Sequence, residues 1–492
     1  MSATSTFTDS LTKHFRIHTF TPLDYGVAGL SFLVALILYT MTMTPSVSAG
    51  DNGELTTAMF YLGVAHAPSY PLHSFMGKLF TFIPIYNVGW RSNFFSAFCG
   101  ALTIYFSVLL YIKLLASTGL NRTYTSLSAF LTGMVFMTSN TFWSQAIMCE
   151  VYTMSSVFFP LLTLILLRWQ DEVVAHKDDE LPYFGEKYLL AYAFLFGVAM
   201  AGHQTVLVTS LFGFVYIVWI LWQNIVRVRP LSGSQILSGL GLLAFVSVAM
   251  MVAFGVYYMK IVSLSSNLYD TTNVKVGMIT FIVCNAAILV AYLYYRFIAM
   301  DQVDPVNYLQ KAFFVIVKMF MIFYLGYAVL LYMVIRAHGS PPINWMGINE
   351  VEDWWLKWGK FFNAVWRKQY GDMGKLPFTL PNLSIEFKLL FTKLLGVQFS
   401  VIFYGFFIAG LVNLYRRYRL WFWTSLWMIV SYCGVMTYFL KYQFDDRSLS
   451  FVIVFYIFAY FSLTIPMAFG IAWLMEGLEK VFGFLKKPEP QT

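Results

Sequence analysis

Charge is scarce in this chain: Asp, Glu, Lys and Arg make up 11% of its 492 residues, against 59% hydrophobic residues. A soluble protein of that length needs far more charge to cover its surface. A string of soluble domains is therefore excluded, and a single membrane domain over 1–492 is expected. Cysteine is as sparse. The four residues Cys99, Cys149, Cys284 and Cys433 lie in or beside apolar runs, at spacings that match neither a disulfide framework nor a metal knuckle. The sequence contains no P-loop, no GxGxxG and no HExxH. It also lacks an internal repeat with matching broken helices, which weighs against a transporter.

What is present is a succession of apolar blocks of about 18–25 residues, the length that crosses a hydrocarbon layer. They predict about 12 spans, near 26–44, 92–115, 125–142, 147–168, 188–202, 205–224, 236–260, 277–298, 312–335, 397–415, 420–440 and 449–475. The net charge of +8 comes from short basic clusters between the blocks, not from a nucleic-acid-binding stripe. Lys13/Arg16, Arg122, Arg168/Lys177/Lys187, Arg227/Arg229, Arg296/Lys311, Arg416/Arg417/Arg419 and Lys480/Lys486/Lys487 all fall on one side if there are twelve spans. By the positive-inside rule that side is cytoplasmic, with both termini on it. No small-residue cleavage site ends the first apolar run, so it reads as a retained helix.

Two long segments then face outward, 45–90 and 336–396, and they hold the densest polar, aromatic and Pro/Gly content. Function concentrates in such loops. In the first, Asp51-Asn52-Gly53-Glu54 follows the first span, and the Pro-rich elbow from His66 to Pro71 separates two short stretches expected to be interfacial helices. Asp-x-x-Glu before an apolar run fits a capping box, and it equally fits a carboxylate base held rigid by its cap. His66 reads as an elbow residue; zinc held by His66, His73 and His203 is the weaker reading. Glu150, followed by Val151 and Tyr152, is expected at membrane depth, where an ionisable group costs about 2.5–3.5 kcal/mol and so faces a polar cavity. His203 lies on the next outer turn. The second loop carries Asn344-Trp345 and Arg367-Lys368-Gln369-Tyr370, aromatic and cationic together, which suits a sugar ring and a phosphate; interfacial anchoring is the plainer alternative. Arg447 adds a cation beside the last span.

The block from Pro45 through Asp51-x-Gly53-Glu54, then His66-x-Pro68-x-Tyr70-Pro71 and Arg91-x-Asn93, closely resembles the DUF2723 membrane family, which includes the TMEM-type protein O-mannosyltransferases. Glu150-Val151-Tyr152, the His203 turn, Pro341-Pro342-x-Asn344-Trp345 and Arg367-x-Gln369-Tyr370 extend the resemblance. It implies an all-α polytopic GT-C glycosyltransferase fold, a lipid-phosphate-linked sugar donor and an acidic residue on the first outer loop, here Asp51, with Glu54 the second carboxylate. The eukaryotic members carry a further C-terminal soluble region that this sequence does not, which favours a bacterial inner-membrane protein over one of the endoplasmic reticulum.

The expected reaction moves a sugar, mannose by the resemblance, from a polyprenyl- or dolichyl-phosphate carrier to an acceptor hydroxyl on protein or glycan, with inversion. Asp51 would deprotonate the acceptor and Glu54 position it. His66, Tyr70, Arg91, Glu150, Tyr152, His203, Asn344, Trp345, Arg367, Lys368, Gln369, Tyr370 and Arg447 would bind donor or acceptor. No cofactor, metal or nucleic acid is expected. The rival is a transporter or flippase of lipid-linked sugar, for which Glu150 and Lys318 are among the few charges inside spans; a non-catalytic scaffold would leave the Asp51 segment unexplained.

Overall fold

The structure, a computed structural model, describes residues 16–176, 179, 182–228, 271–294, 308–365, 367, 380–435, 437 and 446–485. Those residues are helical almost throughout. In chain order the helices are α1 (Pro22–Thr42), α2 (Asn52–Tyr61), α3 (Pro71–Thr81), α4 (Val88–Ser117), α5 (Arg122–Met137), α6 (Asn140–Ala146), α7 (Val151–Ala175), α8 (Glu186–Met200) and α9 (Leu207–Val228). They continue as α10 (Thr271–Tyr294), α11 (Tyr308–Tyr327), α12 (Leu331–His338), α13 (Trp354–Val365), α14 (Leu380–Leu389), α15 (Val401–Arg417), α16 (Arg419–Val430), α17 (Asp446–Val452) and α18 (Ile457–Leu485). Among the described residues the one β-type pairing is an isolated parallel bridge between Val64 and Asn344.

Five stretches among the described residues are long and apolar enough to cross a membrane: Pro22–Thr42, Val88–Ser117, Val151–Ala175, Lys311–His338 and Leu449–Phe482. The chain is a helical membrane protein. Several expected spans appear as shorter pieces. The span near 125–142 is divided between α5 and α6, because Thr138 leaves the helix and Ser139 is extended. The span near 236–260 lies outside the described residues.

Packing follows membrane rules. On α1 the buried residues are Ala28, Ser31, Ala35 and Tyr39, a stripe at helical spacing, while Leu30, Leu33 and Ile37 are exposed. Small side chains thus face the bundle and large apolar ones face outward, as expected where lipid is the solvent. The crossing of α15 with α18 shows why the close approaches fall at glycine. A Cβ on Gly410 would collide with the carbonyl of Pro466, and one on Gly470 with the carbonyl of Phe406.

One end of the bundle collects the basic clusters. The amide of Arg16 donates to Ser117 O at 2.8 Å, Arg122 bonds the Thr21 hydroxyl, and Lys113, at the same end of α4, pairs with Asp171 near the end of α7. Gln170 reaches the Tyr418 hydroxyl at 3.1 Å, which brings the Arg417–Arg419 turn to that end as well. Lys318, a charge inside an expected span, pairs with Glu186 at 2.5 Å at the start of α8. It is therefore a helix-end ion pair rather than a charge lining a path.

Candidate active site

The opposite end is organised by Asn93, near the start of α4. Its carboxamide oxygen accepts from Asn52 Nδ2 at 2.9 Å and from the amide of Cys149 at 2.8 Å, and its Nδ2 donates to Thr44 O at 2.8 Å and Ser46 O at 2.9 Å. Asn52 and Asn93 are fully buried. One side chain thus ties the end of α1, the first turn of α2 and the segment before α7 into a single junction.

At that junction the expected capping box does not form. Asp51 is the residue before α2, with helical backbone angles (φ −77°, ψ −3°), and its side chain makes no cap bond. A capping carboxylate needs an extended backbone to curl back over the first turn, and Asp51 lacks it. Its side chain stays 59% exposed. Glu54 also turns away from the cap. Its carboxylate accepts from the amide of His66 at 2.6 Å and lies 3.2 Å from His66 Nδ1 through each oxygen.

Glu54 therefore fixes the tautomer: Nδ1 carries a proton toward the carboxylate and Nε2 faces the other way. Nε2 lies 3.7 Å from Asp51 Oδ2 and 3.3 Å from the Tyr70 hydroxyl. Burial raises the pKa of Glu54, but the two hydrogen bonds from His66 and its charge outweigh this and hold it below the usual 4.5. Burial lowers that of His66, yet the bond and charge of Glu54, and then Asp51, bring it above 6.5 against the opposing charge of Arg367. The elbow that delivers His66 and Tyr70 is itself unusual in backbone, with φ 71° at Ser69 and 45° at Tyr70. Strained positions of this kind persist where packing over-determines them.

Around the trio stands an aromatic wall. The Tyr70 ring stacks on His203 at 5.5 Å and 6°, and Tyr152 approaches His203 at 5.1 Å. Phe455, from the turn before α18, meets both Tyr152 and His203. His203 is buried, and burial together with Arg367 and His66 holds its pKa well below 6.5. Its Nδ1 accepts from the Thr205 amide at 3.2 Å, so the neutral ring carries its proton on Nε2. Nothing in this arrangement suits zinc from three histidines: His73 is fully buried beside Phe95 in α3, and burial drives its pKa down to about 3.

The two outer loops meet. The amide of Val64 donates to Ile343 O at 2.8 Å, and that of Trp345 donates back to Val64 O at 3.0 Å. Arg336 clamps the same edge, bonding Leu62 O at 2.7 Å and Tyr61 O at 3.0 Å. Gly63 permits the contact, since a Cβ there would lie 2.8 Å from Ile343 O. Arg367 then reaches the site, its Nη2 donating to the Tyr70 hydroxyl at 3.3 Å. Gln204 bonds the carbonyl of Val365 and anchors the end of α13 beside it.

The other expected site residues divide. Glu150 is not at mid-membrane depth but precedes α7, partly exposed, its amide held by Ser96 Oγ at 3.1 Å. Loss of solvation, then the Asp51 charge, push its pKa up to about 8. Arg91 is a turn clamp: it donates to Thr81 O, Ile85 O and Tyr86 O at 2.8–2.9 Å. Asn344 Nδ2 bonds Ala337 O at 3.1 Å, and Trp345 is exposed. Arg447 sits exposed on α17, its carbonyl accepting from Ser450, with no described contact to the trio. Lys368, Gln369 and Tyr370 lie outside the described residues. Sequence reasoning passed over Asn52, Thr205 and Phe455, and had Asn93 only as a motif letter.

Asp51, Glu54 and His66 are also the chain's candidate cation ligands, with donor atoms within 4.8 Å of one another among the described residues. Both Glu54 oxygens already face His66 Nδ1, so a cation would rest on Asp51 and His66 Nε2, with Glu54 orienting the ring.

Residues 51–226 match the family described as the protein O-mannosyl-transferase TMEM260 N-terminal domain. The chain is 32% identical over 195 residues to protein O-mannosyl-transferase tmem260 of Dictyostelium discoideum, covering 38% of this chain and 22% of that protein. It is 28% identical over 193 residues to TMEM260 of Mus musculus, covering 39% of this chain and 25% of that one. The matched stretch thus spans about a quarter of the length of these relatives, and it contains Asp51, Glu54, His66, Glu150 and His203. Among solved structures, an oligosaccharyltransferase from Archaeoglobus fulgidus aligns over 94% of this chain and 51% of its own at 13% identity and a TM-score of 0.40. Similarity at that level is too weak to transfer a fold or an activity.

Proposed function

We propose that the chain is a membrane glycosyltransferase of the GT-C type, moving a sugar, mannose first, from a polyprenyl- or dolichyl-phosphate carrier to an acceptor hydroxyl, on protein first. The observation that carries this reading is the Asp51–His66–Glu54 cluster, built from the part of the chain that resembles the O-mannosyl-transferase relatives.

In the proposed step Asp51, the exposed carboxylate, takes the proton of the acceptor hydroxyl. The freed oxygen attacks the anomeric carbon, and the bond from that carbon to the carrier phosphate breaks. The phosphate leaves with the electron pair, and the configuration inverts because the displacement is single. Glu54 does not position Asp51 directly; it orients His66, whose charged ring holds Asp51 ionised and aimed. Glu150, protonated near neutrality, donates a hydrogen bond to a sugar hydroxyl. Arg367 meets the departing phosphate, where negative charge develops. With both Glu54 oxygens engaged by His66, the trio works by proton transfer without a metal.

The carrier needs an apolar bed. A groove of about 360 Å³ lies between α9 and α16, lined by Phe212, Trp219, Trp423 and Trp427. It begins on α9 a few residues below the His203 turn, which suits a lipid tail running down from the site. Each buried methylene contributes about 0.8 kcal/mol. The test is transfer by purified protein in nanodiscs, from mannosyl-phospho-polyprenol to an acceptor peptide rich in serine and threonine. If wild type and Asp51→Asn behave alike, or no carrier-linked sugar is used, the reading fails.

A further inference from the structure

A second polar cavity, about 340 Å³, opens at the other end of the bundle, among His18, Phe20, Tyr25, Lys113, Arg168 and Asp171. Lys113 lies about 30 Å along α4 from Asn93, and Asp171 as far along α7 from Glu150, at about 1.5 Å per residue. That is one hydrocarbon thickness, so the cavity stands at headgroup level on the face opposite the candidate active site.

Its walls carry both signs of charge. Lys113, nearly buried, pairs with Asp171 Oδ2 and donates to His18 O at 2.6 Å. Arg168 approaches the same Oδ2 at 3.8 Å and Glu172 at 3.1 Å, yet stays half exposed. Asp24 bonds His18 at 3.2 Å. One group is left over: Asp171 is 1% exposed and its Oδ1 has no hydrogen-bond partner among the described residues. A buried carboxylate oxygen without a donor is costly, so the cavity is incomplete without a ligand that brings one.

We propose that this cavity binds an aminoethyl phosphate, the zwitterionic headgroup of phosphatidylethanolamine. The ammonium supplies the missing donor to Asp171 Oδ1, and the phosphate meets Arg168 at the open rim. A purely anionic headgroup would face Asp171, Glu172 and Asp24 uncompensated. A trimethylated ammonium has no N–H to give, so the cavity discriminates by hydrogen bonding rather than by charge.

The experiment is native mass spectrometry of the full chain released from nanodiscs of equal phosphatidylethanolamine, phosphatidylcholine and phosphatidylglycerol. Phosphatidylethanolamine is retained preferentially by wild type. Arg168→Ala, at a half-exposed position that leaves the Lys113–Asp171 pair intact, lowers that retention about tenfold, the loss of one charge-assisted contact. Asp171→Asn, if it folds, removes the preference over phosphatidylcholine. Displacement by free phosphoethanolamine would support the same recognition with a soluble source, and resistance to it supports the lipid. Equal retention of ethanolamine and choline lipids, preference for phosphatidylglycerol, or an Arg168→Ala protein that retains as much as wild type would overturn the proposal.

Discussion

His66 Nδ1 lies 3.2 Å from both carboxylate oxygens of Glu54, and the backbone amide of the same histidine donates to Oε1 at 2.6 Å. Twelve residues apart, the two are held by side chain and main chain together, so the ring cannot rotate without breaking both contacts. This leaves Nε2 committed to the side where Asp51 and Tyr70 stand.

Asp51→Asn separates catalysis from stability. The Asp51 side chain makes no cap bond and is 59% exposed, so thermal stability should match wild type. Sugar transfer should fall roughly 10²–10⁴-fold, the usual worth of general acid–base catalysis. Melting temperature and initial rate measured on the same preparation decide it; full activity in Asp51→Asn ends the assignment of Asp51 as base.

The pH response of the pair has a defined sign. His66 is raised on folding, so its contribution is fully present below about 6.5 and is lost as pH climbs through the higher folded value. Glu54 is lowered, so its contribution is complete above its usual 4.5 and disappears only as pH falls through the lower folded value. Melting temperature scanned between those limits should therefore decline on the alkaline side in wild type. Glu54→Gln should flatten that decline and remove about 1–3 kcal/mol of stability, the contribution of a hydrogen bond to a charged group. An unchanged alkaline slope in Glu54→Gln would show that the pair is not what titrates.

Glu150 should tolerate an amide. Its pKa is pushed up to about 8, first by loss of solvation, so at neutral pH it acts mainly as a neutral donor. Glu150→Gln keeps a donor of the same length and should keep most of the activity, whereas Glu150→Ala should raise the KM for the sugar donor. Steady-state kinetics with varied donor distinguish the two, and equal loss in both variants would argue for an ionised role.

Arg367 should act on the donor. Its Nη2 bonds the Tyr70 hydroxyl at 3.3 Å, so removal also loosens that ring. Arg367→Ala is expected to weaken donor use more than acceptor use, with Arg367→Lys intermediate because charge remains and the fork is lost. Tyr70→Phe controls for the ring contact alone. Donor KM and kcat both unchanged in Arg367→Ala would remove it from the site.

Gly63→Ala tests the union of the loops. The added Cβ would lie 2.8 Å from Ile343 O, forcing Val64 and Asn344 apart. Overpacking of this kind costs about 1–3 kcal/mol. Lower thermal stability together with a higher donor KM is expected, because the same docking presents Arg367 to Tyr70. A stable Gly63→Ala protein with wild-type kinetics would uncouple the second loop from the site.

Membrane character, helical class and the importance of the 45–90 loop are properties of local sequence: apolar run length, helix-breaking prolines at 68 and 71, and carboxylates beside the first span. They needed no knowledge of distant contacts, and α2 and α3 fall on either side of the elbow as the pattern requires. Partner choice is another matter. An Asp-x-x-Glu spacing is compatible with a capping box, and only the helical backbone at Asp51 and the arrival of His66 beside Glu54 decide otherwise. Arg91 reads as a site cation until three loop carbonyls are seen to surround it. Asn93 joins segments 41 and 56 residues away, and Phe455 reaches His203 from the far end of the chain. The periodicity of a chain reports which face of a helix prefers lipid or protein, because transfer energy is a property of each side chain. Which buried polar group meets which is set by the packing of whole helices, and for Glu54 and His66 it was the tertiary structure that settled it.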